Sequence, residues 1–239
     1  MSYKIKIGHI YPDLLDMYGD SGNIAALTKR MQWRGMDAEV IEFTKDDKID
    51  FADLDIVLLG GGSDNANNQA LSLLQEYKND LKNYVENNGV LLAICGGYPM
   101  LGKYIESGGE KKNCLEILDI YTENASKRFT GNVLLESEFS GCTVSVVGFE
   151  NHGGKTFIGN HKPFGKVLKG FGNCGDNSEG VTYKNIFATY LHGPLLPKNP
   201  MLTDEILKRA LEKKYGEKIT FSPLDDTLEN TAHVFAENL

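Results

Sequence analysis

The chain lacks several features that would each assign it to a particular class of protein. No apolar run in its 239 residues approaches the length of a transmembrane helix, and the first residues contain no signal-peptide core. Basic residues are outnumbered: 25 Lys and Arg against 33 Asp and Glu give a net charge of −8. This charge disfavours nucleic acids and anionic membranes as partners. The sequence therefore predicts a protein with no membrane span and no nucleic-acid partner.

Cysteine is scarce and dispersed. The four cysteines, Cys95, Cys114, Cys142 and Cys174, form no Cys-x-x-Cys pair. A disulfide framework is not expected in a chain of this length without a secretory signal, so we predict reduced thiols and a cytoplasmic protein. Because Cys and His are too far apart along the chain for ligand spacing, no metal site is predicted.

The first part of the chain alternates between strand and helix patterns. A mostly parallel sheet flanked by helices on both faces follows from this order, which is an α/β fold. The predicted strands are residues 3–10, 38–43, 56–59 and 90–94, and the predicted helices are residues 20–35, 68–87 and 98–104.

Beyond residue 102 the pattern changes to additional short strands in the C-terminal half, separated by Gly- and Asn-rich turns. Residues 170–180 are predicted to be an exposed loop. One domain over residues 1–239 is the simplest prediction, with a core of about 3–215 and a C-terminal tail, 216–239, whose acidic end packs loosely. The predicted later strands are residues 114–121, 131–137, 143–147, 166–168, 181–183 and 186–190, followed by a helix at 203–215 capped by Thr203.

Cys95 lies where a buried strand meets a sharp turn. Five apolar residues precede it, and Gly96 and Gly97 follow it. A thiol on such a strand-to-helix elbow is exposed at the carboxyl end of the strand, where a helix terminus lowers its pKa and free N–H groups can bind an oxyanion. Cysteine is also often simply buried, but a structural cysteine does not need two glycines after it.

A nucleophilic thiol needs a nearby base. His192 is the preferred candidate, because residues 186–191 predict a strand that leads directly to it. A lone histidine at a strand end is commonly structural, and the elbow at Cys95 favours the catalytic interpretation. Three other histidines are interpreted as surface or packing residues: His9, His161 and His233.

Two glycine-rich segments have alternative interpretations. Residues 148–156 (GFENHGGKT) resemble a Walker A loop, but five residues instead of four separate Gly148 from Gly154, so a turn beside the active site is preferred. The glycines that follow the strand 56–59 form either a plain turn or part of an oxyanion hole together with Gly96.

Three segments in order resemble the class I glutamine amidotransferases, in the branch that includes cobyric acid synthase. They are residues 58–62 (LLGGG), 94–102 (ICGGYPMLG) and 190–194 (YLHGP). The resemblance spans residues 18–197 and implies a flavodoxin-like fold.

Three further segments are similar to a narrower group, the GatD-type subunits of lipid II isoglutaminyl synthases. They are residues 18–23 (YGDSGN), 128–132 (RFTGN) and 148–154 (GFENHGG). The resemblance implies a heterodimer with a MurT-like ligase, which binds ATP, Mg²⁺ and the acceptor lipid II. It implies no cofactor in this chain.

The activity implied by the resemblance is a glutaminase. Cys95 would attack the side-chain carboxamide of L-glutamine and form a glutamyl thioester, and His192 would act first as base and then as acid. Gly61 or Gly62, together with Gly96, would hold the oxyanion. The ammonia released would convert the D-glutamate of lipid II to D-isoglutamine in peptidoglycan synthesis.

Arg128 is expected near the substrate, where its guanidinium would pair with the α-carboxylate of glutamine. The alternative is a solvated surface arginine.

One position departs from the wider class, in which a glutamate follows two residues after the catalytic histidine. Here that residue is Pro194. We therefore expect another group to orient His192, either Glu150 or an acidic residue of the partner subunit. Two other functions stay open at this point: the amidotransferase part of a corrinoid-amidating synthase, and a non-catalytic binding module with the same fold.

Overall fold

The computed structural model describes residues 3–239, apart from the side chain of Ser107, so residues 1 and 2 of the predicted domain lie outside it. The strands of this range are β1 (Lys4–Ile10), β2 (Asp37–Phe43), β3 (Ile56–Leu59), β4 (Val90–Ile94), β5 (Tyr104–Ser107), β6 (Glu110–Asn113), β7 (Tyr121–Phe139), β8 (Cys142–Phe157), β9 (Gly165–Lys169), β10 (Ser178–Glu179), β11 (Val181–Tyr183) and β12 (Ile186–Thr189). The α-helices are α1 (Ser21–Trp33), α2 (Asp64–Leu74), α3 (Lys78–Glu86), α4 (Gly97–Met100), α5 (Pro200–Tyr215) and α6 (Thr227–Glu237).

The first sheet has the strand order β11-β12-β4-β3-β1-β2. All neighbouring pairs in it run parallel except β11, which is antiparallel to β12. This is the doubly wound order of flavodoxin-like folds with one added edge strand. The predicted mostly parallel α/β sheet is confirmed. Its carboxyl edge gathers the residues that follow β3, β4 and β12.

The central strands are buried on both faces because they are apolar at every position. In β3, Val57 packs in the core on the side of α2 and α3, whereas Leu58 packs in the core on the side of α1 and α5. The same alternation continues in β4, where Leu91 and Leu92 point into opposite cores. Helices therefore cover both faces of the sheet.

The second sheet is built around a long hairpin of β7 and β8, paired from Tyr121↔Phe157 to Phe139↔Cys142. Ser140 and Gly141 connect the strands with φ of 49° and 80°, as a two-residue hairpin turn with positive φ requires. The predicted strands at 131–137 and 143–147 are parts of these longer strands. Along its edge opposite β8, β7 pairs with β9, which continues to β10, and with β5, which continues to β6.

Several predicted boundaries are wrong, each for a local reason. The helix predicted at 68–87 is broken by a 3₁₀ turn at Gln75–Tyr77. The helix predicted from residue 98 ends at Met100. The helix predicted from Thr203 begins at Pro200, since proline fits the first turn, and the Thr203 hydroxyl instead donates inside the fold to the Leu196 and Asn199 carbonyls.

Residues 114–121 do not form the predicted strand. Their apolar side chains are buried, including Leu115 and Leu118, but the backbone binds irregularly to the Met100 and Leu101 carbonyls. Burial alone gives the same apolar run as a strand does, so the pattern could not separate the two.

The C-terminal tail forms a helix that was not predicted, although none of the residues of this helix is buried. Its acidic part forms α6, and Asp226, directly before this helix, accepts hydrogen bonds from Arg30. His233 of α6 contacts the Lys198 carbonyl at 2.7 Å and the Ser145 hydroxyl at 2.8 Å. Within residues 3–239, no helix combines the length and the apolar content that crossing a bilayer requires.

Candidate active site

Cys95 lies on the elbow that its flanking residues predicted. It follows β4 with a φ of 49°, and its N–H donates to the Thr189 carbonyl at 2.8 Å. A Cβ at Gly97 would lie 2.5 Å from the Leu59 carbonyl oxygen. The turn therefore needs a glycine at this position, and the strained φ at Cys95 is of the kind found at nucleophile elbows.

The Cys95 side chain is buried, and this burial raises the pKa of its thiol to about 12. The Asp20 carboxylate adds to the rise, and the Gly96 N–H, which faces the sulfur, opposes it. The expectation that a helix terminus lowers this pKa is wrong as a net effect. Because α4 has only four residues, its dipole is too weak to offset the loss of solvation.

The glycines after β3 lie where an oxyanion hole was predicted, but their donors are occupied. The Gly61 N–H donates to Asp20 Oδ2 at 2.9 Å, and the Gly62 N–H donates to Asn67 Oδ1 at 2.9 Å. A Cβ at Gly61 would be 2.9 Å from the Cβ of Cys95, so this glycine is next to the thiol. In this structure Gly96 offers its N–H at the sulfur, and Gly61 and Gly62 do not.

His192 lies three residues beyond the end of β12, at the same edge of the sheet as Cys95. Its backbone pairs with Phe149 of β8 through hydrogen bonds of 3.0 and 3.2 Å. The ring is buried and stacks on Tyr18 with centroids 4.1 Å apart. Among the described residues, its Nε2 has no hydrogen-bond partner. Burial lowers the pKa of His192 to about 4, and nearby positive groups add to this effect.

A cavity of about 220 Å³ opens at Cys95. Tyr18 connects the two candidate groups, because it lines this cavity and also stacks on His192. The wall opposite β4 is formed by the second sheet, through Asn151 and His152 of β8. The site is therefore made where the two sheets meet.

Arg128 lies at the exposed rim of the same cavity, where the pairing of β7 and β8 shifts between Asn124 and Phe129. Its guanidinium donates to the side-chain oxygen of Asn151 at 2.5 Å and to the Asn151 carbonyl at 3.1 Å. Because of this shift, Arg128 is not paired with a residue of β8, and its side chain lies beside the cavity.

Glu150 does not orient His192. Its carboxylate contacts His152 Nε2 at 3.3 Å and accepts the N–H groups of Phe171 and Gly172 at 2.7 and 3.0 Å. The reason is register: Glu150 and His152 are two apart on one strand, so both point to the same face.

His152 is a cavity residue to which the sequence analysis gave no role. Its ring stacks on Tyr190 with centroids 3.6 Å apart, and its Nδ1 lies 2.9 Å from the Gly154 carbonyl. Residues 148–154 belong to β8, so the predicted turn is wrong, although the position beside the cavity is right. A strand here also excludes a phosphate loop. Side chains at alternate positions of a strand point to the same face, so the spacing of Glu150 and His152 was the signal that could have identified them as neighbours.

Two buried carboxyl groups were also missed. Asp20 accepts the Gly61 N–H, and burial raises its pKa to about 7. Glu179 is inaccessible to solvent, and burial raises its pKa to about 8. The predicted exposed loop at 170–180 thus carries a buried acid. Among residues 3–239, no group of three or more His, Cys, Asp or Glu side chains is arranged to hold a metal ion.

Comparison with known proteins is consistent with this geometry. Residues 6–200 match the CobB/CobQ-like glutamine amidotransferase domain, which confirms the predicted resemblance. The chain is 41% identical to the lipid II isoglutaminyl synthase (glutamine-hydrolyzing) subunit GatD of Staphylococcus aureus, over 99% of this chain and 95% of that protein. The protein of the same name from Streptococcus pneumoniae is 38% identical over 95% and 88%. The fold matches PurLQS from Thermotoga maritima with a TM-score of 0.56 at 16% identity, covering 91% of this chain and 100% of that chain.

Proposed function

Because the chain belongs to the CobB/CobQ-like glutamine amidotransferase domain family, we propose that it is a glutaminase subunit that hydrolyses L-glutamine and supplies ammonia to a ligase. The observation that carries this proposal is that one sheet edge holds both a strained, cavity-lining Cys95 and a buried His192 whose Nε2 has no hydrogen-bond partner among the described residues. The alternative of a non-catalytic module with this fold would not need either feature.

The two pKa values indicate how the reaction begins. At neutral pH Cys95 is a thiol and His192 is a neutral imidazole. As the sulfur bonds to the carboxamide carbon of glutamine, His192 takes the thiol proton, and it then passes this proton to the nitrogen that leaves as ammonia. Water attacks the thioester with His192 again as the base, the C–S bond breaks, and glutamate and the Cys95 thiol are formed.

The substrate and the oxyanion are held by groups around the cavity. Arg128 binds the α-carboxylate of glutamine from the rim. Gly96 donates one hydrogen bond to the oxyanion, and Gly61 supplies a second one once Asp20 releases its N–H.

The proposed acceptor is supported by the relatives, which are named as subunits of lipid II isoglutaminyl synthase. The chain forms a cytoplasmic heterodimer with a MurT-like ligase. That ligase binds ATP and Mg²⁺ and amidates the D-glutamate of lipid II. Since Glu150 is held by other groups, the carboxylate that orients His192 comes from the ligase.

The test is ammonia release from L-glutamine by the isolated chain and by the complex with its ligase. We expect release by wild type, none by Cys95→Ala, and normal release by the control Cys142→Ala, which removes an exposed thiol. The complex should be much faster than the isolated chain, because it completes the orientation of His192. Release that does not depend on Cys95 would refute the thiol mechanism, and equal rates with and without the ligase would refute the donated carboxylate.

A further inference from the structure

Apart from Asp20, which holds the Gly61 N–H, residues 18–23 (Tyr-Gly-Asp-Ser-Gly-Asn) have no role in the reaction derived above. In the structure they lie along the chain segment that carries His192. The ring of Tyr18 stacks on the His192 imidazole at 4.1 Å with only 16° between the planes. Phe149 approaches the same imidazole edge-on at 5.8 Å. The histidine ring is therefore held between two aromatic groups.

The same six residues also hold the backbone that follows His192. A Cβ at Gly22 would lie 2.5 Å from Pro194 Cγ, so the proline ring fills the space that this glycine leaves. The side chain of Asn23 accepts a hydrogen bond from the Leu196 N–H at 2.8 Å. Pro194 and Leu196 lie two and four residues after the histidine in sequence.

On its other side, the segment is attached to the strand end beside the thiol. Asp20 accepts the Gly61 N–H at 2.9 Å, and the Asn23 amide donates to Asp20 at 3.1 Å. Asp20 and Asn23 are both inaccessible to solvent. Through the buried side chains of Asp20 and Asn23, residues 18–23 thus connect the end of β3 with the His192 segment.

We propose that, within residues 18–23, the groups that position His192 are Tyr18, which fixes the plane of its ring, and Gly22 and Asn23, which fix its backbone. This inference rests on the proposed glutaminase function. In this proposal, packing provides part of the orientation that the catalytic histidine receives elsewhere in the class from a carboxylate two residues after it. Pro194 occupies that position here, its side chain has no hydrogen-bond acceptor, and its ring packs against Gly22 instead.

The first variants are Tyr18→Leu and Tyr18→Phe in the complex with the ligase. Leucine removes the stack, whereas phenylalanine keeps it. We expect kcat/KM for glutamine to fall at least tenfold in Tyr18→Leu and to stay within about threefold of wild type in Tyr18→Phe.

A pH profile separates positioning from general damage. Because burial is the main reason for the low pKa of His192, loss of the Tyr18 ring should let water reach the imidazole. The acid limb of kcat/KM should then move to higher pH in Tyr18→Leu but not in Tyr18→Phe. The titratable groups that act on His192 are His152, Lys198 and Arg128, and all three are unchanged in these variants.

A second variant does not touch the cavity. Gly22→Ala places a methyl group against Pro194, and the control Ser21→Ala changes the preceding, exposed residue of the same helical turn. Alanine is the better helix former, so a purely local effect of Gly22→Ala would be neutral or stabilising. We expect it to lower kcat at least fivefold with little change in KM, and Ser21→Ala to match wild type. If Tyr18→Leu does not fold, this pair decides the question.

If the wild-type complex is active, equal kcat/KM values for Tyr18→Leu and Tyr18→Phe would overturn this inference alone. Equal kcat values for Gly22→Ala and Ser21→Ala would do the same. A wild-type complex that releases no ammonia would overturn the proposed function and this inference with it.

Discussion

Glu179 lies at the end of β10, next to the strand that leads to His192, and its carboxyl group is inaccessible to solvent. One oxygen accepts the Tyr190 N–H at 2.7 Å, and the other lies 2.8 Å from the Thr189 hydroxyl. Burial raises the pKa of this group from 4.5 to about 8, with a smaller contribution from the nearby Glu150 charge. We predict that Glu179→Gln makes the free energy of unfolding of the protein less sensitive to rising pH.

The sign follows from comparing the folded and unfolded states. Below pH 4.5 the carboxyl is protonated in both, so it adds no pH dependence. Between pH 4.5 and 8 the unfolded chain loses this proton and the folded protein keeps it, so the free energy of unfolding falls as the pH rises. The slope is about 1.36 kcal/mol for each pH unit. The full effect is about 5 kcal/mol, as an upper limit, and it is complete near pH 8.

Glutamine suits the site because its amide has the same shape and cannot ionise. It can accept from the Tyr190 N–H and donate to the Thr189 hydroxyl. Urea unfolding at pH 5, 6, 7 and 8 gives the free energy of unfolding of each variant. We expect the free energy of unfolding of Glu179→Gln to increase steadily relative to that of wild type across this range. The control is Glu136→Gln, which changes an exposed glutamate of β7 and should follow the wild-type curve.

Parallel curves for wild type and Glu179→Gln from pH 5 to 8 would refute the reasoning. They would mean that Glu179 is ionised in the folded protein and that its two hydrogen bonds outweigh its burial. In that case Glu179→Gln would be less stable by a similar amount at every pH.

Two further predictions concern buried charges elsewhere. Asp20→Asn removes an anion that raises the pKa of Cys95, so alkylation of Cys95 by iodoacetamide at pH 8 should become severalfold faster. The control Asp64→Asn removes a weaker contributor to this pKa and should accelerate alkylation less. A larger acceleration in Asp64→Asn than in Asp20→Asn would contradict the assignment. Arg30 is buried and binds Asp204 at 2.6 Å and Asp226 at 2.5 Å. Because Arg30→Met leaves Asp226 unpaired, it should lower the free energy of unfolding in urea by about 2 kcal/mol. The exposed control Lys29→Met should leave this free energy almost unchanged, and an equal decrease in both variants would show that the ion pairs are not the cause.

Much of the fold could be predicted because its signals are local. The apolar runs of β3 and β4 can be satisfied only by burial on both faces, and the glycines after them permit a sharp turn. Such patterns predicted the parallel sheet and the strained elbow at Cys95. Where a local signal was ambiguous, as at residues 114–121, the prediction was wrong, because burial in an irregular segment and burial in a strand select the same side chains.

The sequence by itself determined which residues stand at the carboxyl edge of the sheet: Cys95 and the glycines after β3, with His192 just beyond β12. Only the tertiary structure decided what each of them contacts. The Gly61 N–H is held by Asp20, Glu150 faces His152, and the ring of His192 lies against Tyr18. These contacts join residues from different strands and loops, and the pKa values of Cys95 and His192 depend on how completely the surrounding elements exclude water. A pattern along the chain records the preferences of each segment, whereas desolvation and hydrogen-bond partners are properties of the space between segments.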